Sequence, residues 1–179
     1  MGDAIGMIEL SSIARGIEVS DSMVKISNVT IVKASTVCPG KYIVIVGGST
    51  SDVKTSMDKG LSVAGEYFVD SMMLSNVHPE LIPAIGLCNT IEEFGAIGVM
   101  EFYSVASGIR AADIAAKAAS VTLIEVKIGY AIGGKGVVLL TGDVEAVKTA
   151  VDVATEEIEL LLSTTVIPRP AQAVLETLL

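Results

Sequence analysis

The chain has 179 residues, 51% of them hydrophobic, with a net charge of −9, four Tyr, three Phe and no Trp. The acidity argues against a nucleic-acid partner, and the scarcity of aromatics against base-stacking platforms. Mean hydropathy is +0.65, yet no apolar run reaches the roughly 18 residues of a membrane-spanning helix, so the surplus apolar surface points to burial between subunits of an obligate oligomer.

The opening "MGDAIGMIEL" has no basic region before its apolar run, so it does not read as a signal peptide. It begins like a myristoylation site, but its sixth residue is Gly rather than Ser or Thr. "DAIGMIEL" reads as a strand. Ser11 or Ser12 then caps a helix running to about Ser27, with Ile13, Ile17, Ser20 and Val24 as its inner stripe. "VTIVKAST" and "KYIVIVGG" read as strands flanking "TVCPGKY", where Pro39 and Gly40 turn the chain and project Cys38. Ser49 and Asp52 form a capping-box-like start for a second helix, and a strand near "VDSMMLSN" closes the half.

From Ala96 the pattern begins again. Residues 4–34 match the chain 92 positions later at twelve places, among them Glu9, Gly16, Asp21 and Lys25, where roughly two or three would match by chance. The match resumes at an offset of 94, pairing Gly40-Lys41 with Gly134-Lys135 and "VKTSMD" with "VKTAVD". The slip falls at the Cys38 loop. The second helix stripe becomes Val105, Ile109, Ala112 and Ala116, the last strand lies near "LLLSTTVI", and "PAQAVLETLL" reads as a terminal helix. Each half thus follows the order β-α-β-β-α-β, an α+β ferredoxin-like arrangement with both helices on one face of an antiparallel sheet. We place the halves at residues 1–92 and 93–179.

Catalytic signatures are weak. "GYAIGGKG" begins like a phosphate-binding loop, but Gly136 stands where Ser or Thr would hold magnesium, and a strand pattern follows instead of a helix. "GGSTSDV" runs from strand to helix, which a simple cap explains as well as an anion site. His78, the sole histidine, reads as a surface or interface residue. Glu9 and Glu101 recur at one repeat position, which suggests a structural role rather than acid–base chemistry. Cys38 and Cys88 lie in no metal-binding spacing and make no disulfide framework, so a reducing, cytosolic setting is the default. Cys88 reads as buried and inert.

"AIGMIELSSIARGIEVSDSMVKISNV", "AIGVMEFYSVASGIRAADIAAKAASV" and the closing "VIPRP" resemble bacterial microcompartment shell domains, over nearly the whole chain and twice. The "CPGK" turn in the first half resembles the tandem subgroup of propanediol-utilisation shells. The resemblance implies a non-enzymatic structural protein of a cytoplasmic microcompartment shell, a homotrimer that mimics a hexameric disc with a central pore. It tiles with other shell proteins, with no membrane or nucleic-acid partner. It further implies one [4Fe-4S] cluster per trimer, held by Cys38 of each subunit, for electron transfer across the shell or cluster delivery, with a redox enzyme as partner. Three thiolates leave one iron to a ligand other than cysteine. The pore would be lined by Val37, Cys38, Pro39, Gly40 and Lys41, alternating with Ala131, Ile132, Gly133 and Gly134. Lys41 would add positive charge beside the thiol. Lys25, Lys117 and Arg169 would lie at the edge between discs, with "VHPEL" replacing the arginine segment in the first half. Two alternatives stay open: a shell trimer with an open or gated metabolite pore and no cluster, and a ferredoxin-like regulatory oligomer that binds a metabolite and never tiles.

Overall fold

Alternation of apolar and turn-forming residues produces the same unit twice. In this computed structural model, residues 3–86, 89–91 and 94–177 are described; Cys88 lies outside them. The first half contains β1 (Ala4–Leu10), α1 (Ile13–Ile26), β2 (Thr30–Val37), β3 (Lys41–Gly48), α2 (Thr50–Ala64) and β4 (Phe68–Ser75). After α3 (Leu81–Gly86) come β5 (Ala96–Phe102), α4 (Val105–Ala118), β6 (Val121–Ile128), β7 (Gly136–Gly142), α5 (Val144–Glu157), β8 (Leu161–Ile167) and the short α6 (Gln172–Leu175). The sheets are antiparallel with strand orders β2-β3-β1-β4 and β6-β7-β5-β8, the ferredoxin-like arrangement. Even the irregularities repeat: the ladders slip between Glu9 and Leu10 and between Glu101 and Phe102.

The chain divides into two compact units. One runs through Val77 and takes in Gly129–Gly134; the other comprises His78–Ile128 and Lys135 onward. In the first, Ile8, Leu10, Val44 and Val46 from the central strands meet Val19, Met23 and Val53 from the helices. In the second, Ile97, Ile124, Leu139 and Leu175 form a cluster joined by Ile91 and Phe94.

Caps set the helix starts. Ser12 accepts the Arg15 N–H and Ser104 the Ser107 N–H. Of the expected inner stripe of α1 only Ser20 is buried: the buried residues are Gly16, Val19, Ser20 and Met23, while Ile13 and Ile17 are exposed and Val24 is half-buried. Gly16 and Gly108 set how closely each helix approaches its sheet. A Cβ on Gly16 would fall 2.4 Å from the Tyr42 ring, and one on Gly108 would fall 2.9 Å from the Gly136 Cα. The terminal helix is also shorter than expected, spanning only Gln172–Leu175.

The repeated glutamate meets the repeated lysine. Glu9 stands opposite Ile43 on the neighbouring strand and Glu101 opposite Val137. A lysine two residues before each of those partners therefore lies diagonally across the same sheet face. Lys41 pairs with Glu9, whose side chain is 3% exposed, and Lys135 with Glu101 at 2.7 Å, both about one-third exposed. This is the structural role expected of the recurring carboxylates.

Two stability predictions follow from this packing. Gly108→Ala should lower the unfolding free energy by about 1–2 kcal/mol in urea titration, because backbone must move to admit the methyl and this outweighs the roughly 1 kcal/mol helix preference for alanine. An unchanged or higher midpoint would contradict the close approach. Lys41→Met, which strands a buried carboxylate, should cost about 3 kcal/mol, whereas Lys135→Met should cost less than about 1 kcal/mol. Equal losses in the same titration would count against the distinction.

Candidate functional site

The site is built from two loops. β2 ends at buried Val37 and β3 begins at Lys41, so three residues must reverse the chain. Gly40 does so at φ +88°, and its N–H donates to the Val37 carbonyl at 3.0 Å. The Cys38–Pro39 peptide is cis. Pro39 and Gly40 are exposed and Cys38 is half-buried.

The second loop belongs to the same compact unit. The Cys38 N–H donates to the Gly129 carbonyl at 3.1 Å. Gly134, at φ +80°, lies so close that a Cβ there would fall 2.7 Å from the Cys38 carbonyl oxygen. Only glycine satisfies both the conformation and the approach. The main chain of Cys38 is thus held by Gly129 and overlain by Gly134, while its thiol is in no disulfide. Ala131 adopts φ +57° and is exposed, Ile132 is half-buried and Gly133 is exposed. Tyr130, at 76% exposure, projects from this loop and was not singled out from the sequence.

Charge at the site differs from expectation. Lys41 is engaged by Glu9, so its ammonium is met by a carboxylate of its own sheet. Among the described residues, no group of three or more His, Cys, Asp or Glu side chains is placed to hold a metal within one chain.

Lys25, Lys117 and Arg169, the residues expected at the tile edge, are all exposed. Lys25 pairs with Asp21 at 2.6 Å on the exposed end of α1. Lys117 pairs with Asp113 at 2.5 Å, and Asp113 also accepts the His78 N–H at 2.7 Å. His78 therefore anchors the segment leading into α3. Arg169 is exposed just after β8. Its counterpart needs correction: Ile5 pairs with Leu74 and Ile97 with Ile167, so Asn76, rather than a residue of "VHPEL", holds the equivalent place.

The remaining motifs are structural. Ser49 accepts the Asp52 N–H at 3.2 Å and donates to the Asp52 carboxylate at 2.6 Å, a cap that places a carboxylate where an anion would bind. "GYAIGGKG" leads into β7, a strand. The segment around α3 escaped the sequence reading. There the Glu80 carboxylate accepts the Leu123 N–H at 2.8 Å, and the Asn89 amide donates to the Leu123 carbonyl at 2.7 Å.

The BMC domain model matches residues 4–77 and again 96–170. The chain is 43% identical to the bacterial microcompartment shell protein PduT of Citrobacter freundii, over 97% of this chain and 96% of the relative. It is 39% identical to the carboxysome shell protein CcmK2 of Synechocystis sp., over 52% of this chain and 97% of that one, as one copy of a duplicated unit would be. The crystal structure of a microcompartments protein from Desulfitobacterium hafniense DCB superposes with a TM-score of 0.93 at 40% identity, covering 98% of this chain and 99% of that one. The chain therefore belongs to the bacterial microcompartment shell protein family, with two BMC domains in tandem.

Proposed function

We propose that the chain forms a homotrimeric, pseudohexameric shell tile. Its three Cys38 loops would converge on the threefold axis and hold one [4Fe-4S] cluster, and the tile would pack with other shell proteins. The observation that carries this reading is the seating of Cys38: its main chain is fixed by the Gly129 and Gly134 contacts while its sulfur has no disulfide partner.

The donor chemistry fits. Thiolate is the usual ligand for iron–sulfur clusters, and Cys38 supplies one per chain. A single chain assembles no metal-ligating group among its described residues, so the site requires symmetry to bring sulfurs together. Three sulfurs bind three irons and leave the fourth to water, a small ligand or an outside donor. When bound, the cluster supplies one-electron transfer at a fixed point of the shell, for which a redox enzyme is the natural partner. Val37, Pro39 and Gly40 shape the opening, and the loop of Ala131, Ile132 and Gly133 alternates with them around it. Lys41, held by Glu9, anchors the turn. Lys25, Lys117 and Arg169 stand at the outer edge, where tiles meet.

Anaerobic reconstitution with iron and sulfide tests the reading. Wild type should be brown, with about four irons and four sulfides per trimer and an EPR signal on reduction. Cys38→Ser should remain trimeric yet lose the colour, the signal and most of the iron. A colourless wild-type trimer would replace this reading with the open or gated metabolite pore. A protein that neither forms trimers nor assembles into sheets in electron micrographs would favour the regulatory oligomer.

A further inference from the structure

The loop from Gly129 to Gly134 is pinned at both ends to one residue. At its start the Gly129 carbonyl accepts the Cys38 N–H at 3.1 Å. At its end Gly134 lies against the other peptide group of Cys38: a Cβ there would fall 2.7 Å from the Cys38 carbonyl oxygen and 3.6 Å from the Lys41 Nζ. The positions between these ends therefore form an arch beside the turn that carries the thiol, within the same compact unit. Left-handed backbone at Gly129, Ala131, Gly133 and Gly134 bends the arch. Ala131 takes that conformation without the freedom of glycine, so the path is set by where the loop must pass rather than by local preference.

Two residues of the arch carry bulk, Tyr130 and Ile132. Ile132 is half-buried. Tyr130 is 76% exposed, more than any other large hydrophobic side chain among the described residues. Tyr42 fills the space beside Gly16, and Tyr67 lies 5.6 Å from the Arg15 guanidinium; Tyr130 contributes little packing to its own chain. A solitary exposed tyrosine needs no explanation. This one directly follows the carbonyl that holds Cys38.

We propose that Tyr130 covers the cluster site. In the ring of three, three phenol rings stand beside the Cys38 sulfurs and shield one side of the bound cluster. This rests on the cluster reading above and adds the residue that protects it. Three thiolates leave one iron without cysteine, and that iron is open to chelators. The side chains packed around a metal site govern how solvent and solutes reach it. A phenol suits the position because it is bulky yet uncharged at neutral pH, with a pKa of about 10. It screens the iron without adding charge to a centre that already gathers three thiolates.

Tyr130→Ala and Tyr130→Phe, both expected to remain trimeric, test this by two readouts. The first is the rate at which the anaerobically reconstituted protein loses iron and brown colour to excess EDTA. Tyr130→Ala should lose both about tenfold faster than wild type or more, and Tyr130→Phe, which keeps the ring, should restore the slow rate. The second needs no cluster: alkylation of Cys38 by iodoacetamide in the iron-free trimer, followed by peptide mass spectrometry, should be faster in Tyr130→Ala. Unchanged iron release in Tyr130→Ala would overturn the proposal. So would a Tyr130→Phe that releases iron as fast as Tyr130→Ala, since the hydroxyl rather than the ring would then be responsible. A wild-type trimer that takes up no iron would instead overturn the cluster reading, and the alkylation rates would still decide whether Tyr130 covers the thiol.

Discussion

A carboxylate almost wholly removed from water must find its counter-charge nearby, and Glu9 finds it in Lys41. That requirement fixes where β3 may begin. If the β1–β3 register moved by one residue, the lysine would turn to the other face of the sheet and the carboxylate would be stranded. The turn carrying Cys38 is therefore anchored on its C-terminal side by an electrostatic constraint and on its N-terminal side by buried Val37. The second half keeps the same pair in a wetter setting, so the geometry survives there with a smaller penalty for error.

Between these fixed points the two halves are free to differ, and the loop is where they do. One half spends the freedom on a cysteine followed by proline; the other on two further residues, with four left-handed backbone positions between Gly129 and Gly134. The second loop needs those conformations to pass its main chain against Cys38 at the distance Gly134 permits. Within each unit the sheet is the scaffold, and the connection between its strands is where sequence can vary and function can sit.

The sequence revealed most of the scaffold because duplication wrote each element twice. Strands, caps and helix boundaries recur at Ser12 and Ser104, at Glu9 and Glu101, and at Lys41 and Lys135, so accidental patterns could be set aside. What it hid has physical causes. Periodicity shows that a helix has an apolar stripe, but not whether the stripe faces its own sheet, so Ile13 and Ile17 look like core in the sequence. The pairing of Glu9 with Lys41 depends on register, which composition does not encode. The α3 segment is too short, and too interrupted by Pro83, to announce a helix, and its bonds to Leu123 join residues more than thirty positions apart.

Tandem fusion also bears on why the thiol is present in only one half. In a ring of six identical loops, every copy would bring the same side chain to the axis, and six thiolates would crowd one opening with mutually repelling charge. Fusing two domains halves the number of equivalent positions. The proposed ring then has three loops that present sulfur and three that carry no thiol. Three sulfurs can share a compact cluster, and the intervening loops fill the space between them without competing as ligands. Changing the Cys38 loop alone would alter what the centre holds, while the sheets, the Glu–Lys anchors and the outer edges of the tile stay as they are.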